Sequence, residues 1–152
     1  MLTIKPCTVQ ELKSAANFHQ LLADYALESA IHGMPKAQAK IDMYLALEAG
    51  GAITIFGAWI HDELVGFVVV LAPMIPHYGR TIATTESFFV AYDHRSSGAG
   101  LELLRKAEKH AESIGSPALL VSAPAGGVLE KVLPRVGYTH SNTVFSKRLG
   151  HG

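Results

Sequence analysis

Two apolar runs dominate the middle of the chain, AITIFGAWI over residues 52–60 and LVGFVVVLA over 64–72, with only His61, Asp62 and Glu63 between them. Each has the length and β-branched content of a strand, and so short a junction predicts an antiparallel hairpin. Neither run alternates apolar with polar residues over much of its length. Both faces of such a hairpin must be buried, so helices are required on both sides of the sheet. The 152 residues suffice for one such domain, residues 1–152, and no linker or repeat divides them. With 49% hydrophobic and 17% charged residues, the chain lies far from the composition of disordered segments.

The other elements flank the hairpin. Residues 2–6 read as a short strand, and Thr8 with Glu11 makes a capping box for a helix running to about Ser29. Gly33 breaks it. Pro35 opens a second helix with Ala39, Met43, Ala46 and Leu47 inward, and Gly50-Gly51 stops it. After the loop IPHYGR, residues 82–91 read as a third long strand. Thr84, Glu86, Phe88 and Val90 share one face of it, and Thr85, Ser87, Phe89 and Ala91 the other. A helix from about Leu101 to Ile114 follows, then a strand at 118–122, a short helix at 128–136 and a final strand pair or bent strand over 139–149. The result is a mixed sheet with helices on both faces.

Charge and cysteine usage exclude several functions. Thirteen Lys and Arg balance thirteen Asp and Glu, so no basic field exists to hold a nucleic-acid backbone. The zero net charge permits a homodimer. A single cysteine, Cys7, rules out an internal disulfide and multi-cysteine metal sites, which suits a reducing cytoplasm. The eight histidines show no close ligand pair, and no metal is expected. The first residues do not read as a signal peptide, and the longest apolar stretch, residues 64–74, is far short of the ~20 residues that cross a bilayer.

The chemistry concentrates in ESFFVAYDHRSSGAG, residues 86–100, where an apolar strand runs through a small-residue loop into a helix. The first N–H groups of a helix have no internal partner, and together with the helix dipole they bind phosphate oxygens. Gly98 and Gly100 permit close approach, Ser96, Ser97 and Ala99 add little bulk, and Arg95 can add a charge-assisted bond. The physical reading is a pyrophosphate cradle, against the plainer reading of a glycine-rich turn. The order R-x-x-G-x-G is neither the G-x-G-x-x-G dinucleotide fingerprint nor a P-loop, which needs Gly-Lys-Ser/Thr.

Arg95-Ser96-Ser97-Gly98-Ala99-Gly100, placed after a strand and opening a long helix, resembles the signature of the GCN5-related N-acetyltransferases (GNAT). Val90 five residues earlier, the hairpin with its Val-Gly-Phe, the helix LELLRKAEKHAESIG, the strand ALLVS and the segment VLPRVGYTH extend the likeness over nearly the whole chain. The resemblance implies a mostly antiparallel sheet splayed between its fourth and fifth strands, with acetyl-CoA (coenzyme A) as the acyl donor. It implies that backbone groups of Phe88, Phe89 and Val90 hold the pantetheine arm and that residues 95–100 hold the pyrophosphate. It also exposes a departure. The family's usual leaving-group acid, a tyrosine, falls at Leu133, and its asparagine falls at Gly126.

An amine acceptor must lose a proton before it attacks, so a base is expected. Glu86 is the first candidate, a carboxylate inside an apolar strand, where it is costly unless solvated or paired; the alternative is a structural role, with Arg80 as one partner. His77, in the loop before that strand, is the candidate relay. The expected activity is transfer of an acetyl group to a primary amine of a small molecule or peptide. A catalytically weak acyl-CoA-binding protein is the alternative that Leu133 motivates.

Overall fold

The computed structural model describes residues 1–150. In chain order its elements are β1 (Leu2–Cys7), α1 (Val9–Lys13), α2 (Phe18–Glu28), α3 (Ile41–Ala49), β2 (Ile53–Ile60) and β3 (Glu63–Leu71). A small hairpin of β4 (Met74–Ile75) and β5 (Arg80–Thr81) follows, then β6 (Ala83–Val90), a 3-10 turn (Tyr92–Ser97) and α4 (Ala99–Ser113). The chain ends with β7 (Leu119–Leu120), α5 (Val128–Val132) and a second 3-10 turn (Leu133–Val136).

The main sheet has the order β1-β2-β3-β6-β7. Its first four strands are antiparallel, and β7 lies parallel to β6. The β2–β3 hairpin turns through His61 and Asp62, with His61 at a φ of 56°. Both of its faces are covered. Ile55, Phe67 and Val69 pack with Val9, Leu12, Phe18 and Leu21 of α1 and α2. On the other face Val65, Val68 and Val70 meet Leu103, Ala107 and Ala111 of α4. Leu64, Val65, Val68 and Val70 are almost wholly buried, and each such side chain contributes roughly 1.5–3 kcal/mol of burial free energy. This is a mixed α/β fold with a largely antiparallel sheet and helices on both faces. Among the described residues, no helix is long and apolar enough to cross a membrane.

Four local expectations change. The helix expected from Thr8 to Ser29 is two helices. The capping box at Thr8 and Glu11 is present, but the chain turns after Lys13, and the Asn17 side chain donates to the Leu64 carbonyl at 2.7 Å. A long-range partner thus outweighs local helical periodicity. The second helix starts at Ile41, not Pro35. Neither Met34 nor Lys40 supplies a capping oxygen, and residues 36–40 instead wall a cavity. Its inward side chains are Ile41, Tyr44, Leu45 and Leu47, whereas Met43 is exposed. The loop IPHYGR contains the β4–β5 pair.

The C-terminal third departs most. The strand at 118–122 shrinks to Leu119–Leu120, and no strand forms over 139–149. Val144 and Phe145 are adjacent in sequence and both exposed. In an extended chain they would point to opposite faces, so the segment offers no single apolar side to bury.

Candidate active site

The site is built around β6. Val69 pairs with Ser87 but Val70 pairs with Thr85, so Glu86 is the extra residue of a β-bulge. The bulge breaks the simple alternation expected of this strand. Phe88 and Val90 pack on the α4 side, but Glu86 does not share their face. It points with Phe89 toward the helices α1–α3, where its two carboxylate oxygens accept from the Tyr44 hydroxyl at 2.8 and 2.9 Å. Burial, and then the adjacent Glu86 carboxylate, raise the Tyr44 hydroxyl well above the ordinary tyrosine range. Tyr44 therefore stays a proton donor. Arg80 is not the partner of Glu86; it donates to the Gly115 carbonyl at 3.1 Å.

The other edge of β6 is open for most of its length. β7 pairs only with Ala83 and Thr84, which leaves a splay toward Val90. Which backbone groups face it follows from the register. The Ala91 N–H donates to the Val65 carbonyl at 2.8 Å, so residues 65 and 91 form a hydrogen-bonded pair. Strict alternation then makes Phe67–Phe89 the next hydrogen-bonded pair, and turns the N–H and C=O groups of Phe88 and Val90 away from β3. Phe89 drops out of the expected backbone set because its groups are taken by Phe67.

The helix start keeps free donors. Gly98 has a φ of 89°, a left-handed conformation that favours glycine. Glu102 is the first residue of α4 whose N–H bonds back to a carbonyl, that of Gly98 at 3.1 Å. Among the described residues the amides of Gly98, Gly100 and Leu101 have no backbone acceptor, and that of Ala99 bonds the Ser97 hydroxyl at 3.3 Å. Ser96, Ser97 and Gly98 are exposed. A cluster of free amides beside an unpaired strand edge fits a diphosphate carrying an amide-bearing arm.

Arg95 is placed differently from expectation. Its guanidinium bonds the Val90 carbonyl at 2.9 Å and the Glu28 carboxylate of α2, and it stacks over Tyr92 at 4.1 Å. It is turned toward α2, away from a role as an anion ligand. His77 stands exposed at the tip of the β4–β5 hairpin, edge-on to Tyr78, and no hydrogen bond joins it to Glu86. Leu133 is buried and brings no hydroxyl. Tyr138 donates to Glu108 on α4 at 2.7 Å; burial and then that carboxylate raise its hydroxyl too. No group of three potential metal ligands is found among the described residues.

Glu86 also lies on the wall of a cavity of about 560 Å³ between α2, residues 36–40 and α3. Tyr44 was not legible as a site residue in the sequence, because its contact with Glu86 spans 42 positions.

The profile of the Acetyltransferase (GNAT) family matches residues 16–131. Among curated proteins none matches the chain significantly. Solved structures with similar folds include ribosomal-protein-alanine N-acetyltransferase from Brucella melitensis biovar Abortus 2308, with 21% identity, TM-score 0.74 and coverage of 98% of this chain and 99% of that one. An aminoglycoside acetyltransferase from an uncultured soil metagenomic sample has 16% identity, TM-score 0.73 and 99% coverage of both chains. Glucosamine-6-phosphate N-acetyltransferase from Arabidopsis thaliana has 11% identity, TM-score 0.73 and 97% coverage of both.

Proposed function

The chain belongs to the Acetyltransferase (GNAT) family and is an acetyl-CoA-dependent acetyltransferase; we propose that it acetylates a primary amine of a small molecule or peptide by direct attack. When bound, acetyl-CoA supplies an activated thioester carbonyl. The free amides of Gly98, Gly100 and Leu101 hold the diphosphate, with Ser96, Ser97 and Ala99 around it. The outward N–H and C=O of Phe88 would hold the arm, and the N–H of Val90, whose own carbonyl is engaged by Arg95, would face the thioester carbonyl oxygen. Glu86 takes the proton that the acceptor ammonium must lose, and Tyr44 fixes the orientation of that carboxylate. Leu133 carries no acid for the departing thiolate, which takes its proton from water or another side chain. His77 has no step here.

The observation that carries this reading is the position of Glu86, on a bulge between the open strand edge and a cavity. The names of the three similar structures support an amine acceptor. Glu86→Gln is expected to lower kcat about 100-fold, with coenzyme A affinity by calorimetry little changed. An unaltered kcat overturns the role of Glu86. The second reading, a coenzyme A-binding protein with little turnover, draws on Leu133; tight binding with no acetylation across an amine panel would establish it.

The proposal includes a reducing, cytoplasmic setting in which the buried Cys7 stays a thiol. It also includes pairing of two chains through the exposed Val144, Phe145 and Leu149, read by sedimentation velocity.

A further inference from the structure

The cavity beside Glu86 has an asymmetric charge pattern. Among its described lining residues Glu86 is the one carboxylate, and Lys36 and Lys40 are the two cations. Both lysines lie on the extended segment that forms one wall, and neither has an ion-pair partner among the described residues. The Tyr44 N–H bonds the Lys40 carbonyl, so Lys40 stands one helical turn, ~6 Å along the axis, from the residue that holds Glu86. Leu22, Ala26, Met43 and Leu47 add apolar surface to the same wall.

From this pattern we propose that the acceptor is an amine bearing an anionic group, a carboxylate or a phosphate. The inference rests on the acetyl-transfer reading and narrows its substrate. Glu86 receives the ammonium group. Lys36 and Lys40 attract the anion, and their long side chains adapt to its distance. A polycationic acceptor is disfavoured because it would bring positive charge against two unpaired lysines, with a single carboxylate to meet it.

Matched acceptors test this: hexylamine, 6-aminohexanoate, 6-aminohexyl phosphate and 1,6-diaminohexane. Each is assayed for acetylation, and each is titrated calorimetrically against the coenzyme A-loaded enzyme. The anionic amines are expected to exceed hexylamine in kcat/KM by roughly three- to tenfold, mostly through KM, because the two contacts are solvent-exposed. Salt should shrink the advantage. The two anionic probes separate carboxylate from phosphate. Lys36→Gln/Lys40→Gln should bring the anionic-to-neutral ratio toward one, and Lys36→Glu/Lys40→Glu should favour the diamine.

Equal values for neutral and anionic amines, or preference for the diamine in the natural chain, overturn the inference while leaving acetyl transfer standing. Lysine-dependent binding of the anionic amines without turnover supports the inference and overturns the transfer reading alone. If the double glutamine variant weakens coenzyme A and leaves the acceptor ratio unchanged, the lysines serve the donor and the inference falls.

Discussion

The two sides of β6 are built by different means. The side proposed for the donor presents backbone: free amides at the start of α4, the outward groups of Phe88 and the Val90 N–H. The side proposed for the acceptor presents side chains drawn from three elements, with Glu86, Tyr44 and the lysines of the 36–40 segment around one cavity. Backbone sites depend on local conformation, so short motifs specify them. Side-chain sites depend on packing, so they can change while the sheet stays the same. The three similar structures fit this contrast. They share the fold at 11–21% identity, and their names carry different acceptors.

The sharpest test of the backbone side is Gly98. Gly98→Glu places a carboxylate beside the free amides, where it repels the diphosphate and competes for the same donors, and coenzyme A affinity should fall at least ~10-fold. Gly98→Ala is the control. Its φ of 89° alone should cost about 1–2 kcal/mol in stability, read by thermal unfolding, with a much smaller loss of affinity. Equal losses in the two variants would mean that the glycine matters only for its backbone conformation.

Tyr44→Phe probes the side-chain side. It frees the Glu86 carboxylate from its orienting donor, and kcat should fall about tenfold, with donor affinity retained. The same hydroxyl carries a pH signature. Tyr44 and Tyr138 are both raised in the folded chain, whereas unfolded tyrosine ionises near pH ~10. Above that pH the unfolded state loses protons that the folded state keeps. Their stabilising contribution, complete at lower pH, therefore fades as pH rises through the alkaline range. The unfolding temperature should drop from pH 9 to 11, and Tyr44→Phe/Tyr138→Phe should flatten the drop.

The smallest effect is expected at the junction of the two sides. Glu28→Gln releases the Arg95 guanidinium from α2. If Arg95 then reaches the diphosphate, coenzyme A should bind about threefold more tightly at low salt, in keeping with a partly exposed ion pair. Weaker binding instead would show that Arg95 serves to hold the helix start against α2.

Much of the helix start proposed for the donor was legible in the sequence. R-x-x-G-x-G after an apolar strand is a local pattern, and free amides at a helix start are a local consequence of chain geometry. The hairpin was legible for a related reason, because two-sided apolar runs leave few alternatives. Less legible were features set by partners far away in sequence. Asn17 splits a periodic helix through a bond to Leu64. Arg95, which resembles an anion ligand in the motif, is engaged by Glu28 across 67 positions.

By itself, then, the chain's residue order determined the layered sheet, the family likeness and the glycine-rich helix start with its free amides, because these follow from periodicity, turn chemistry and local backbone conformation. Tertiary structure alone decided which face Glu86 occupies, since one bulged residue reverses the strand's parity. It also decided that Phe88 and Val90, rather than Phe89, face the splay, and that Tyr44 and two lysines meet Glu86 around one cavity. Register and packing are relations between distant segments, and no local pattern records them.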